Sequence, residues 1–349
     1  MRKAYPPYTI TSTALKLVAA ISEHLATLSA FGALTIESIS PQLRRDNRIR
    51  TIHASLAIEN NSLSLEHVTA IIDGKPVIGP PRDIQEVRGA VAAYEKLNVW
   101  QPYNLKDLLA AHSLLMHNLI ENPGTLRAGG VGVFQGGNVV HMAPPANLVY
   151  GHLEKLLQWV AETNEHPLIT SCVFHYEFEF IHPFADGNGR MGRLWQTLIL
   201  SKWKPVLAYM PVETIVCNRQ NKYYASLGQA DAQGEATQFI EFMLQALHDS
   251  LTEMHMTTQV TPQVTTQVAG QVAGQVSPHV KRLLAALEKG DHSAAELMQA
   301  LGLKSAKNFR ATWLAPALEA GFVERTQPDS PRSPTQRYRL TTLGKRIAD

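Results

Sequence analysis

With 349 residues and 45% apolar side chains, the chain is long enough for one large domain and a smaller one, each with its own core, which excludes extended disorder for most of its length. A formal charge of +2 is too small to mark the whole chain as a nucleic-acid or membrane binder, so any such signal has to be local. The two cysteines, Cys172 and Cys217, lack C-x-x-C spacing; this argues against a zinc ribbon or a disulfide framework and fits free thiols in a reducing cytoplasm.

The N-terminal stretch MRKAYPPYTITSTALKLVAAISEHL has prolines at 6 and 7, and Ser, Thr, Lys, Glu and His interrupt its apolar run, so it does not read as a signal peptide. No window holds eighteen uninterrupted apolar residues, and neither a membrane span nor a membrane partner is expected. Helical spacing then dominates. ALKLVAAISEHLATL, LKDLLAAHSLLMHNLI, LVYGHLEKLLQWVAET, GRLWQTLILSKW and TQFIEFMLQALHDSLTEM all place apolar residues three and four apart. HASLAIENNSLSLEHVTAII likewise reads as one helical pattern, from about 50 to 72. The expected fold class is therefore mainly α. The exception is VGVFQGGNVVHM, residues 131–142, a β-hairpin around Gly136-Gly137 closed by Pro144-Pro145.

Residues 257–276, TTQVTPQVTTQVAGQVAGQV, form a four-residue Gln-Val repeat in which Pro262, Gly270 and Gly274 disfavour a stable helix. A linker over 251–277 follows. Beyond it, VKRLLAALEK, SAAELMQALGL, SAKNFRATWLAPALEAGFVER and QRYRLTTLG give the outline of a winged helix over 278–349. That tail carries 12 Lys/Arg against 7 Asp/Glu, whereas the rest carries 20 against 23.

Residues 182–193 read HPFADGNGRMGR and follow the apolar run VFHYEFEFI. The helical pattern after them puts Gly187-Asn188-Gly189 at a helix N-terminus, where unbonded N–H groups cradle an anion. Arg190 and Arg193 can clamp further phosphate oxygens, and Asp186 suits Mg²⁺, which takes one carboxylate together with substrate phosphates. His182 is the one base in the stretch that titrates near neutrality, and so the natural acceptor of a hydroxyl proton.

This string fits H-x-F-x-[DE]-G-N-G-R-x-x-R, and the chain here resembles the Fic family, proteins that transfer AMP from ATP to a hydroxyl of a target protein. FHYEFEFIHPF, LLMHNLIENPGTLRAGGVGVF and RQNKYYASLGQA resemble Fic segments too, so the likeness spans roughly 50 to 250. It implies a Fic-type helical domain with the 131–142 hairpin as the flap on which a target segment docks by strand addition. The target protein is unidentified. His182 would be the base, Phe184 a core anchor, and Asp186 the Mg²⁺ ligand. Gly187, Asn188 and Gly189 would receive the α- and β-phosphates of ATP, Arg190 would support the β-phosphate, and Arg193 would reach the γ-phosphate. Tyr223 and Tyr224 match a pair near the adenine. Where relatives can carry an amide, this chain has Asp231.

SLAIEN, residues 55–60, resembles the [ST]-x-x-x-E-[GN] element of a Fic inhibitory helix, with Ser55, Glu59 and Asn60 at its fixed positions. The resemblance implies that Glu59 pairs with Arg193 and inhibits in cis from the N-terminal side, the arrangement called class II. The expected organisation is an N-terminal helical region over 1–100, a Fic core over 101–250, the linker, and the winged-helix domain. Rival readings are a metal-dependent hydrolase built on His175, His182 and Asp186, for which the spacing is poor, and a DNA-binding regulator whose Fic-like body senses nucleotide. A DNA or protein partner for the winged helix, removal of AMP by the same site, and a homodimer are further readings left open.

Overall fold

PLITSCVFHYEFEFI carries apolar residues on every face, and a helix of that kind sits inside a bundle. In the computed structural model it forms a buried helix, Pro167–Ile181, packed against a second buried helix, Asn188–Trp203. The structure describes residues 6–30, 41–130, 132–135, 138–253, 277–288, 290–327, 333–341 and 344–345. The chain divides into two compact units, one of residues 1–36 and 47–252, the other of residues 37–46 and 253–349.

In chain order the first unit contains α1 (Ser12–Ala30), the larger part of α2 (Pro41–Ile58), α3 (Leu65–Ile72), α4 (Pro81–Glu95) and α5 (Leu105–Leu115). A hairpin of β1 (Gly132–Gln135) and β2 (Asn138–Met142) follows, then α6 (Ala146–Glu162), α7 (Pro167–Ile181) and α8 (Asn188–Trp203). A 3-10 turn, Pro205–Tyr209, leads to α9 (Val212–Asn218), α10 (Gln220–Gln233) and α11, which covers 237–253. Caps explain where several helices begin. Ser64 accepts from the His67 N–H, Asn104 from the Lys106 and Asp107 N–H groups, and Pro81 and Pro167 take first-turn positions where a missing N–H costs nothing. The core joins Phe174, Phe178 and Ile181 of α7 to Met191, Leu194, Trp195 and Leu198 of α8, with Ile52 and Leu56 of α2 and Leu108, Ala111 and Leu115 of α5 around them. The N-terminal segment is fastened to α11 by the Thr9 N–H on Thr237 Oγ1 (2.9 Å) and the Thr11 hydroxyl on Glu241 Oε1 (2.5 Å).

The strands of the hairpin pair antiparallel, Gln135 opposite Asn138, with a bulge between Val133 and Phe134; its turn at Gly136-Gly137 lies outside the described residues. The second unit holds α12 (Pro278–Leu287), β3 (His292–Ser293), α13 (Ala294–Ala300) and α14, a helical run made of Ala306–Asn308, the π-helical Phe309–Leu314 and Ala315–Glu319. β4 (Val323–Arg325) and β5 (Arg337–Leu340) complete a three-stranded sheet in the order β3-β5-β4. The β4–β5 pair is the wing expected from the sequence, and β3 is a third strand that the sequence reading did not include. The Gln-Val repeat lies outside the described residues. Among the described residues no helix is long and apolar enough to cross a membrane.

One expectation is corrected. The pattern from about 50 to 72 is two helices, because α2 ends at Ile58 and α3 starts at Leu65. Asn60 turns to φ 67, a left-handed conformation that asparagine tolerates, and the Glu59 and Asn60 N–H groups close the end of the helix on Leu56 O and Ala57 O. Glu59 therefore stands just past a helix end.

Candidate active site

His182 is the C-cap of α7 and has φ 47, ψ 61, a region that non-glycine residues enter only when surroundings hold them there. Its N–H still bonds to Phe178 O at 2.9 Å, so the helix delivers it in a fixed place. Nδ1 lies 3.3 Å from the Glu179 carbonyl, which can only accept, so in the neutral ring Nδ1 carries the proton and Nε2 has acceptor character. The Glu179 carboxylate approaches the same nitrogen at 3.9 Å.

Residues 183–187 bend between α7 and α8, and two side chains fix the bend. Asn188 bonds to both main-chain groups of Phe184, its Oδ1 accepting from the Phe184 N–H and its Nδ2 donating to Phe184 O, each at 2.9 Å. Its amide is thus spent on the loop, and only its main-chain N–H remains to face an anion. His112 of α5 stacks on the Phe184 ring with centroids 3.6 Å apart. The Gly124 N–H donates to His112 Nδ1 (2.8 Å), and His112 Nε2 donates to Asp186 O (3.0 Å). The bond accepted by Nδ1 needs a neutral ring, and burial drives the His112 pKa down to about 4.

His175 is neutral for the same reason: Nδ1 donates to Gln196 Oε1 (2.7 Å), Nε2 accepts from the Tyr223 hydroxyl (3.1 Å), and burial lowers its pKa to about 3. In the unfolded chain both rings take up a proton near pH 6.5, so the unfolded state binds more protons than the native state below that pH. Stability is full above about pH 6.5 and falls toward pH 4, by up to roughly 1.4 kcal/mol per pH unit for each ring. Urea midpoints at pH 7 and pH 5 should differ accordingly, and His175→Gln should flatten the slope; equal midpoints for the parent protein would refute this.

Gly187 has φ 84, and a Cβ there would lie 2.6 Å from the sulfur of buried Met116. Gly187→Ala is expected to cost at least about 1–2 kcal/mol from the left-handed backbone alone, read as a lower urea midpoint; an unchanged midpoint would mean that the turn relaxes freely. α8 begins at Asn188 with no side-chain cap, which leaves the N–H groups of its first turn without acceptors inside the helix. Groups so placed, with the helix dipole, favour an anion.

Beside that helix end lies an ionic network. Asp186 accepts from its neighbour's N–H at Gly187 (2.6 Å), from Arg190 Nη2 (2.9 Å) and from Arg82 Nη2 (3.0 Å). Arg190, only 4% exposed, also reaches Glu86 Oε1 at 3.2 Å, while Glu86 Oε2 accepts from the Asn61 amide at 2.8 Å. Arg82 lies at the surface and contacts Glu86 at 3.5 Å. The sequence reading placed Arg190 on a phosphate; here its guanidinium is divided between two carboxylates.

Arg193 is buried and bound to the segment at the end of α2. Nε donates to Ser55 Oγ (3.0 Å), and Nη2 donates to Ser55 O (2.9 Å) and Glu59 Oε1 (2.8 Å). Burial is the largest single influence and opposes the charge of Arg193, but the Glu59 carboxylate, Tyr223 and Glu179 together outweigh it, and the pKa is held above the ordinary arginine value. The Glu59 carboxylate lies directly over Gly189: a Cβ at 189 would collide with Glu59 Oε1 and come within 3.1 Å of Arg193 Nη1. Ser55 and Glu59 therefore both contact Arg193, and Glu59 lies against Gly189. Asn60 makes the turn that follows.

The tyrosine pair divides. Tyr223 is buried among His175, Phe239 and Phe242, while Tyr224 is half-buried with its hydroxyl 3.5 Å from Ile58 O. Asp231 accepts from the Tyr176 hydroxyl at 3.0 Å. His175 has both ring nitrogens committed inside the core, which removes it as a ligand in the hydrolase reading. Sequence reasoning missed His112, Glu86, Arg82 and Arg127. Their only signal was a polar side chain within otherwise ordinary helix or loop text.

Two family descriptions match: "Fic/DOC family" over residues 102–200, and "Filamentation induced by cAMP protein Fic-like, C-terminal domain" over residues 278–341. The chain is 55% identical to a crystallised Fic family protein from Desulfovibrio desulfuricans G20, covering 97% of this chain and 98% of that one with a TM-score of 0.70. Among curated proteins it is 30% identical over 217 residues to Protein adenylyltransferase fic-1 of Caenorhabditis briggsae, covering 58% of this chain and 40% of that protein. It is 29% identical over 216 residues to Protein adenylyltransferase Fic of Aedes aegypti, covering 58% and 41%. The chain thus spans about 40% of the length of the curated relatives it matches.

Proposed function

The chain belongs to the Fic family, and on that premise we propose that it is a protein adenylyltransferase, moving AMP from ATP to a Ser, Thr or Tyr hydroxyl of a target protein, with Glu59 holding it mostly off. The observation that carries this reading is the placement of His182 at the C-terminal end of α7, its Nδ1 against the Glu179 carbonyl, six residues before the uncapped N-terminus of α8. The helix end would hold the polyphosphate through its N–H groups and dipole. His182 takes the proton of the target hydroxyl as its oxygen bonds to the α-phosphorus and pyrophosphate departs. Its strained, anchored backbone keeps Nε2 aimed without further reorganisation.

The residues also fit Mg²⁺. Asp186 offers a surface carboxylate beside the phosphate cradle, and its Oδ2 is held by the exposed Arg82; one carboxylate with substrate phosphates is the donor set that this ion prefers. Asp186 would hold it, and the ion would neutralise phosphate charge. Inhibition is supported by the Glu59–Arg193 pair, which withholds the guanidinium that would reach the γ-phosphate and sets a carboxylate against Gly189, where phosphate oxygens would lie.

The reading is tested by incubating the protein with α-labelled and, separately, γ-labelled ATP, Mg²⁺ and lysate. Adenylyl transfer puts label on protein from the α-position only. Label from the γ-position would make the protein a kinase, and absence of both with the inhibitory carboxylate removed would overturn the proposal.

A further inference from the structure

Arg127 lies between α5 and β1, outside the 182–193 string, and is 6% exposed. Its guanidinium donates to four main-chain carbonyls: Nε to His182 O (2.7 Å), Nη1 to Gly129 O (2.8 Å), and Nη2 to Pro144 O (2.5 Å) and Ile181 O (3.3 Å). Its own N–H donates to Pro183 O at 3.0 Å. All five acceptors are neutral, and a cation withdrawn from water among neutral groups is costly. Two features offset that cost. Ile181 and His182 are at the C-terminal end of α7, where the helix dipole favours positive charge. A planar guanidinium, with five donors, can also span acceptors that an ammonium cannot.

The identity of the acceptors says what the residue is for. Gly129 and Pro144 flank the hairpin, one just before β1 and the other just after β2, and Ile181, His182 and Pro183 are the catalytic turn. One side chain therefore fastens both ends of the hairpin to the turn that carries His182. An apolar side chain there would leave these main-chain carbonyls without their donor, so it is the guanidinium that joins the three segments.

We propose that Arg127 is the positioning residue that sets the distance between the hairpin and His182, so that a protein segment laid along the hairpin presents its hydroxyl to Nε2. Arg127 itself touches neither nucleotide nor target. The proposal rests on the adenylyltransferase reading and adds to it a division of labour: α8 holds the nucleotide, and Arg127 aligns the acceptor.

Water provides the control, because transfer of AMP to water needs no docked segment and yields AMP and pyrophosphate. In a Glu59→Gly background, Arg127→Lys and Arg127→Met are compared with the parent for AMP transfer to protein, release of AMP into solution, affinity for a fluorescent ATP analogue and melting temperature. Misplacement of a reacting group by about 1 Å can cost roughly a hundredfold. The ratio of protein transfer to AMP release is therefore expected to fall at least about tenfold, with analogue affinity little changed. A parallel fall in both products, no change in either, full activity in Arg127→Lys, or unfolding of both variants would each overturn the proposal by making Arg127 a general stabiliser or idle. Loss of all transfer with Arg127 intact would instead strike the adenylyltransferase reading.

Discussion

Glu59→Gly is expected to raise AMP transfer, including self-modification, by about ten- to a hundredfold. Two opposite charges about 4 Å apart gain roughly 4 kcal/mol at an effective dielectric near 20. The side chain of Glu59 is 30% exposed, and solvent screening, desolvation and side-chain entropy reduce that figure. A net of about 1.4–3 kcal/mol remains, and each 1.36 kcal/mol is a factor of ten. Removing the carboxylate also clears the space above Gly189. Glycine is tolerated at 59 because the residue lies beyond the last helical position of α2. Glu59→Gln, which keeps the volume without the charge, should give an intermediate rate. Measured by incorporation of α-labelled AMP, equal rates for parent and Glu59→Gly would show that the ion pair does not govern activity.

His182→Ala in the same background should reduce transfer by about 10²–10⁴, the range typical of a lost general base, while binding of a nucleotide analogue changes little. The two properties separate because the imidazole belongs to the end of α7, whereas the anion site belongs to the start of α8. Alanine is a poor residue at φ 47, so its effect mixes chemistry with backbone strain. Asparagine accepts that conformation, and His182→Asn isolates the missing base. Transfer that survives in both variants would take His182 out of the reaction.

The helices were legible wherever apolar residues recur at three and four. The break at Glu59–Ser64 was not, since Asn60 and Ser64 are weak punctuation inside a pattern that keeps its period across the gap. β3 was missed because two residues, His292 and Ser293, carry no periodicity; they pair with Tyr338 and Arg337 of β5, far along the chain. Tyr223 and Tyr224 looked equivalent as text. Their different burial comes from α11, whose Phe239 and Phe242 close over the first of the two.

By itself the sequence determined the set of candidate residues, because His182, Gly187, Gly189, Arg190 and Arg193 lie within one short stretch, and a helix end converts that closeness into geometry through local hydrogen bonding. Tertiary structure decided what each charge faces. Arg190 meets Glu86, Arg193 meets Glu59, and the carbonyl of His182 meets Arg127, across separations of 104, 134 and 55 residues. No local rule reaches that far: such pairs form only when packing around α7 and α8 removes water and leaves each buried polar group to find the one complement within reach.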